Sequence, residues 1–326
     1  MTELKQRILA AVRGDLAAVE TALEENLHPH FELVGRVAGH ILFAGGKRLR
    51  PLLMILAARL CGDSGDGSAR TATIFEYLHA ATLLHDDVVD GGRVRRGRTA
   101  AHEVWNAPTA VLTGDFLLAR ALALAARTQL PSVIDTIAAI TEFMSQGEIQ
   151  QLLHKGDLEL SEAAYHEVIR CKTAVLFEGA CRVGALLAGA APSQVKFLGD
   201  FGHHLGMAFQ MADDLLDYTQ DSAVLGKKPG ADLREGKLTL PVIHTLRVAD
   251  PGDRRWIEQL IRSADFEDHE FARLVRLLDA YGGIDYTRRC ARGHIDSARR
   301  QLDHFPPSDA RATLSDIAAY AIARNH

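Results

Sequence analysis

The chain has 326 residues, 47% of them hydrophobic, 24% charged and 6% aromatic, a composition that excludes a disordered or low-complexity protein. Against 37 basic residues stand 42 acidic ones, a formal net charge of −5, which argues against nucleic acid as a partner. The opening, MTELKQRILAAVRGDL, lacks the apolar core of a secretory signal, and no run of 18 uncharged apolar residues occurs, so no membrane span is expected. The four cysteines, Cys61, Cys171, Cys181 and Cys290, form no CxxC pair and read as reduced core thiols of a cytoplasmic protein.

Breaker clusters fall at 61–70, 91–98, 189–193, 226–236, 250–253 and 304–308. Between them the apolar spacing is helical. Ile74, Leu78, Ala81, Thr82 and His85 form one stripe over 71–90. Val195, Leu198, Leu205, Phe209, Ala212 and Leu216 form another over 193–217, with Ser193 as the expected cap. Phe271, Leu274, Val275, Leu278 and Tyr281 form a third, which Gly282-Gly283 stops. No strand–helix alternation is visible, and the breakers read as helix–helix loops. The expectation is a single all-α domain over residues 1–326, helix packed on helix.

Two segments carry the chemistry: Asp86-Asp87-Val88-Val89-Asp90 and Asp213-Asp214-Leu215-Leu216-Asp217. With 25 aspartates in the chain, about 0.15 DDxxD strings are expected by chance, so two call for an explanation. Each is predicted at the C-terminal end of a helix, where carboxylates oppose the macrodipole and repel one another by about 0.2–0.5 kcal/mol per i,i+4 pair. The first and last Asp of each cluster share a face, with Cβ atoms roughly 6 Å apart. Oxygens so placed suit a hard cation. Mg²⁺, whose shell is completed by water and substrate phosphate, fits better than zinc, because sulfur and imidazole are absent from the clusters. The alternative is a pair of solvated acidic helix ends.

Cations accompany the clusters. Gly45-Gly46-Lys47-Arg48-Leu49-Arg50-Pro51 sets three beside two glycines, and Arg93, Arg95, Arg96 and Arg98 follow the first cluster. Lys172-Thr173 lies in a helical stretch. Lys227, Lys228 and Lys237 flank a glycine-containing segment after the second cluster, where a mobile lid is expected. Taken one at a time, these are solvated loops or surface lysines.

In order and spacing, GGKRLRP (45–51), LLHDDVVD (83–90), RRG (95–97), KT (172–173), FQMADDLLD (209–217) and GKLTLP (236–241) resemble the trans-isoprenyl diphosphate synthases, and most of all the octaprenyl and other long-chain members. The resemblance implies an antiparallel helical bundle around a deep central cavity, with the two Asp clusters facing each other across its mouth, and a homodimer. It implies that Asp86, Asp90 and Asp213 hold Mg²⁺ on an allylic diphosphate such as farnesyl diphosphate, with Asp87, Asp214 and Asp217 in support. Arg95, Lys172, Thr173, Gln210, Lys227 and Lys237 would grip that diphosphate, Lys172 and Lys227 assisting its departure. Lys47, Arg50, His79 and Arg96 would hold isopentenyl diphosphate. The released diphosphate would serve as base. His85 beside the cluster is the alternative base, read first as a structural neighbour.

In the same family, the residues four and five before the first Asp set product length. Here they are Thr82 and Ala81, with Leu78 one turn, about 5.4 Å, further along that stripe. Neither Ala81 nor Thr82 closes a tunnel, and Ala119 and Ala123 offer further small walls, so a long, octaprenyl-type product is expected. Packing alanines are the alternative, with a farnesyl or geranylgeranyl product. One departure stands out: long-chain members often read GDDL where this chain has Gly230-Ala231-Asp232-Leu233. A class I terpene cyclase would lack GGKRLRP and alter the second cluster, and a regulatory subunit would lose both clusters. A catalytic subunit requiring a small partner keeps every motif.

Overall fold

The computed structural model describes residues 3–63, 67–219, 230–263 and 265–323. The described residues are overwhelmingly helical, as the spacing predicts: α1 (Glu3–Asn26), α2 (Glu32–Leu42), α3 (Leu49–Leu60), α4 (Ser68–Val89), α5 (Ala101–Trp105), α6 (Ala107–Arg127), α7 (Pro131–Leu153), α8 (Glu162–Ile169), α9 (Val175–Leu187), α10 (Pro192–Thr219), α11 (Ala231–Arg234), α12 (Leu240–Val248), α13 (Pro251–Ser263), α14 (Asp268–Ala280), α15 (Gly283–Leu302) and α16 (Asp309–Ala323). A π-helical turn, Arg170–Ala174, joins α8 to α9.

The chain divides into two compact units. The first comprises Met1–Thr141, Leu176–Gly202 and Gln301–Asp316. Its axis is α4, which packs against α1, α2, α3, α5 and α6. Ile74, Phe75, Tyr77, Leu78, Ala81 and Leu84 are fully buried there, and each large side chain contributes about 1.5–3 kcal/mol. Asn106 starts α6 by accepting Thr109 N–H at 2.9 Å. The exposed side of α6 is apolar: Val111, Leu112 and Leu122 lie on it. By length and composition this helix is apolar enough to cross a membrane, although Asp115 and Arg120 interrupt it. Ala119 and Ala123, expected as tunnel walls, are exposed, while Leu117, Ala121 and Leu124 form the buried face.

The second unit comprises Glu142–Val175, His203–Arg300 and Ile317–His326. In it α12 packs against α8, α13 and α14. Two boundary expectations shift. Helix α10 starts at Pro192, with Ala191 N–H bonded to Gln194 Oε1 at 3.1 Å, so Ser193 lies inside the helix and does not cap it. Gly282, at φ +74°, ends α14 as the pattern predicts, but Gly283 at once opens α15.

A short hairpin within 91–99 is the one departure from helix–helix loops among the described residues. Val94–Arg95 (β1) pairs antiparallel with Arg98–Thr99 (β2). The two turn residues, Arg96 and Gly97, both have positive φ, 51° and 74°. That is the turn hand that matches strand twist, and it favours glycine at such positions.

Candidate active site

The first acidic cluster closes α4. Asp87 is 2% exposed, and its Oδ1 accepts from Arg95 Nε at 2.8 Å and Arg95 Nη2 at 2.5 Å. Its buried Oδ2 has no hydrogen-bond partner. Asp86 and Asp90 are partly exposed. The middle carboxylate of the cluster is thus neutralised by a protein cation, while the outer two reach the surface. The hairpin turns Arg95 back to Asp87 and directs Arg96 to the carbonyl of Gly45 in the glycine-rich motif.

His79 lies seven residues before Asp86 on α4. Burial first, then the charges of Arg50, Arg96, Arg95 and Arg48, hold its imidazole well below the usual histidine range, so it is neutral. Burial and the like charges of Arg48 and Arg95 also lower Arg96, although Glu76 opposes them. The Arg50 guanidinium stacks 4.8 Å from the Phe177 ring centre. Cations close enough to lower both His79 and Arg96 form an environment complementary to an anion. Of the residues expected to hold isopentenyl diphosphate, the structure therefore gathers His79, Arg50 and Arg96, and Lys47 is exposed on the adjoining loop. Arg48 does something else. It is 3% exposed and binds Glu20 (2.6 Å), Glu76 (2.8 Å) and the Leu42 carbonyl (2.7 Å), which makes it the motif's anchor.

The second cluster lies in the last two turns of α10. Asp213 is exposed. Asp214 is buried, and both its oxygens are engaged: Tyr165 OH donates to Oδ2 at 2.5 Å and Gln210 Nε2 to Oδ1 at 2.7 Å. Burial, and secondarily Asp232, push its carboxyl up to about 8, against the hydrogen bonds that favour the charged form. Thr173 donates to Gln210 Oε1 at 2.8 Å, which completes a chain from Thr173 through Gln210 and Asp214 to Tyr165. Asp217 accepts the backbone N–H of Ala231 (3.1 Å) and Asp232 (3.2 Å), fastening the start of α11. Asp214 and Asp217 are therefore supports, and Asp213 is the member that faces out.

Lys172 lies in the π turn, its Nζ held by Glu148 (2.9 Å) and Gln151 (2.8 Å) of α7. A Cβ at Gly147 would come 2.7 Å from Cys171 Cβ and 2.9 Å from Lys172 N, so only glycine admits the π turn so close to α7. Lys172, Thr173, Gln210, Asp214, Asp232 and Lys237 share the lining of one cavity of about 120 Å³. Lys237 Nζ pairs with Glu235 at 2.6 Å. Lys227 lies outside the described residues. Sequence reading missed Tyr165, Gly147, Glu148 and Gln151, because a lone Tyr or Glu in a helix carries no signal of its own.

Of the length-setting positions, Ala81 and Leu78 are fully buried, whereas Thr82 is partly accessible and bonds the His79 carbonyl at 2.8 Å. His85 Nε2 turns to α6, 3.1 Å from the Val111 carbonyl and 3.5 Å from Asp115. Asp86 and Asp90 of the first unit are partly exposed and Asp213 of the second is exposed, and each presents carboxylate oxygens, the donor chemistry of a hard divalent cation.

Comparison with known proteins identifies the family. The polyprenyl synthetase family model matches residues 31–278. The octaprenyl diphosphate synthase of Escherichia coli (strain K12) is 36% identical over 320 residues, 98% of this chain and 99% of that one. An all-trans-nonaprenyl-diphosphate synthase (geranyl-diphosphate specific) of Rhodobacter capsulatus is 38% identical over 323 residues, 99% of this chain and 98% of that one. A crystal structure of a polyprenyl synthase from Caulobacter crescentus CB15, complexed with calcium and isoprenyl diphosphate, superposes with a TM-score of 0.93 at 38% identity, covering 98% of each chain. With its motifs, fold and full-length relatives in accord, the chain belongs to the polyprenyl synthetase family and is a polyprenyl diphosphate synthase, a prenyltransferase.

Proposed function

We propose that this prenyltransferase joins isopentenyl diphosphate head-to-tail to an allylic diphosphate such as farnesyl diphosphate, giving a long all-trans product, octaprenyl first among the long chains. The observation that carries this reading is the pairing of two DDxxD clusters with two distinct sets of cations. One set surrounds His79, and the other lines the Lys172–Lys237 cavity. Two sets suit a reaction that brings together two diphosphates.

Asp86, Asp90 and Asp213 are the residues that would hold Mg²⁺. Bound there, the ion supplies stabilisation of the charge that develops on the leaving diphosphate. Lys172 and Lys237, with Lys227 by family resemblance, grip that leaving group, and their fixed charges favour ionisation of the allylic C–O bond. Arg95 contributes while it neutralises Asp87. Thr173 and Gln210 keep a fixed orientation beside it because they bond each other and Asp214, itself held by Tyr165, accepts from the Gln210 amide. Lys47, Arg50, Arg96 and neutral His79 position isopentenyl diphosphate, whose double bond attacks the allylic carbon. A proton then leaves the new chain, with the released diphosphate as its acceptor.

The test is elongation of farnesyl diphosphate by labelled isopentenyl diphosphate with Mg²⁺, followed by chain-length determination of the dephosphorylated products. Octaprenyl-range products from the purified single chain are expected. Products no longer than geranylgeranyl would overturn the length assignment, hydrocarbon from the allylic substrate alone would indicate a cyclase, and inactivity relieved by a second polypeptide would indicate a catalytic subunit. A cytoplasmic homodimer completes the proposal. Val111, Leu112 and Leu122 on the open side of α6 support the dimer, because apolar surface so grouped favours a protein partner.

A further inference from the structure

A separate cavity lies against the helix that carries Asp213 and Asp214. It measures about 230 Å³, and its walls include Ala212 and Leu215 of α10, Ala319 and Ile322 of α16, and Arg288 and Arg292 of α15. Ala212 and Leu215 are buried and stand on the face of α10 opposite Gln210 and Asp214. The cavity is thus distinct from the one lined by Lys172 and Lys237.

Its lining is chemically two-sided. The walls are small or aliphatic apart from two arginines one helical turn apart, with no carboxylate among the lining residues. Arg288 bonds the neighbouring Asp285 at 3.1 Å, and Arg292 is exposed. A purely apolar ligand would make no use of the arginines. Free phosphate would make none of the alanine-lined wall. A void of about 150 Å³ holds benzene, so one of this size takes about nine carbon atoms.

We infer that this cavity binds a hydrocarbon chain bearing a phosphate group, with the chain against Ala319 and Leu215 and the phosphate on Arg288 and Arg292. The walls of the cavity set that ligand class, independently of the reaction proposed above.

The experiment titrates decyl phosphate into the full-length protein by calorimetry, with saturating Mg²⁺ and inorganic diphosphate present to fill the diphosphate pockets. Saturable binding is expected to persist under those conditions. Ala319→Trp, which fills the cavity, should abolish it, and Arg292→Glu should weaken it about tenfold. Both variants should keep their elongation activity, which shows that they fold. If Ala319→Trp fails to fold, the surface substitution Arg292→Glu decides alone. Displacement of decyl phosphate by diphosphate, or equal affinity in wild type and variants, would overturn the inference. So would a loss confined to binding of phosphatidylglycerol vesicles, which would make the arginines a membrane contact.

Discussion

Asp87 and Arg95 show how a residue can be read two ways at once. The carboxylate is buried, and Arg95 is its counter-charge at 2.5 Å. Arg95→Ala should therefore lower activity and also cost about 2–3 kcal/mol of stability in urea denaturation, because a buried charge loses its partner. Adjacent cations in GGKRLRP should separate the two effects. Arg48→Ala breaks a pair with Glu76 in which both side chains are under a tenth exposed, and about 3–5 kcal/mol should be lost. Lys47→Ala, at an exposed position, should leave stability within about 0.5 kcal/mol and reduce turnover with isopentenyl diphosphate. Acid should act through the histidines. Burial, and then His204, His203 and His166, lower His294 to about 4. Between that value and its unfolded pKa near 6.5 the unfolded chain binds more protons, so the contribution of His294 to stability falls as pH drops through this window. His294→Asn should flatten the decline in urea midpoint between pH 6.5 and 5 relative to wild type.

At the scale of elements, the π turn Arg170–Ala174 decides where Lys172 and Thr173 sit. An exposed helical glycine replaced by alanine gains about 1 kcal/mol. At Gly147 the sign should reverse, because the new Cβ meets Cys171 and Lys172 at under 3 Å. Gly147→Ala should cost about 1–3 kcal/mol by thermal denaturation and lower kcat/KM for the allylic primer as the π turn moves away from α7. The hairpin after α4 is a second such element. Its two-residue turn, not the length of the arginine run, determines that Arg95 meets Asp87 and Arg96 meets Gly45.

For the whole molecule the predictions concern product length and assembly. Ala81→Tyr should shorten the product to roughly farnesyl or geranylgeranyl length while activity persists. Ala81 is fully buried, so tyrosine there also carries an overpacking cost of about 1–3 kcal/mol. Thr82→Phe, at the partly accessible neighbour, should shorten the chain with less strain. An unchanged product distribution in both variants would refute the length assignment. Leu112→Glu, on the exposed face of α6, should yield monomer in light-scattering measurements if that face joins two copies.

Periodicity alone determined the all-helical architecture, because apolar stripes at three and four residues can be buried only by helix on helix. Local patterns likewise revealed the two acidic helix ends and the ordered cations, whose identities lie in contiguous segments. The hairpin escaped that reading because two-residue strands carry no period. Ser193 was misplaced as a cap because proline at the first helical position puts the cap at Ala191, two residues earlier. Which cation of the motif anchors the fold was decided only in three dimensions. Arg48 and Lys47 are neighbours in the chain, yet the left-handed backbone at Arg48 accompanies the turn of its side chain inward to Glu20 and Glu76. Tyr165, Gly147 and Glu148 belong to the site through contacts across the fold, and burial and partner charge are properties of packing rather than of any one position in the chain.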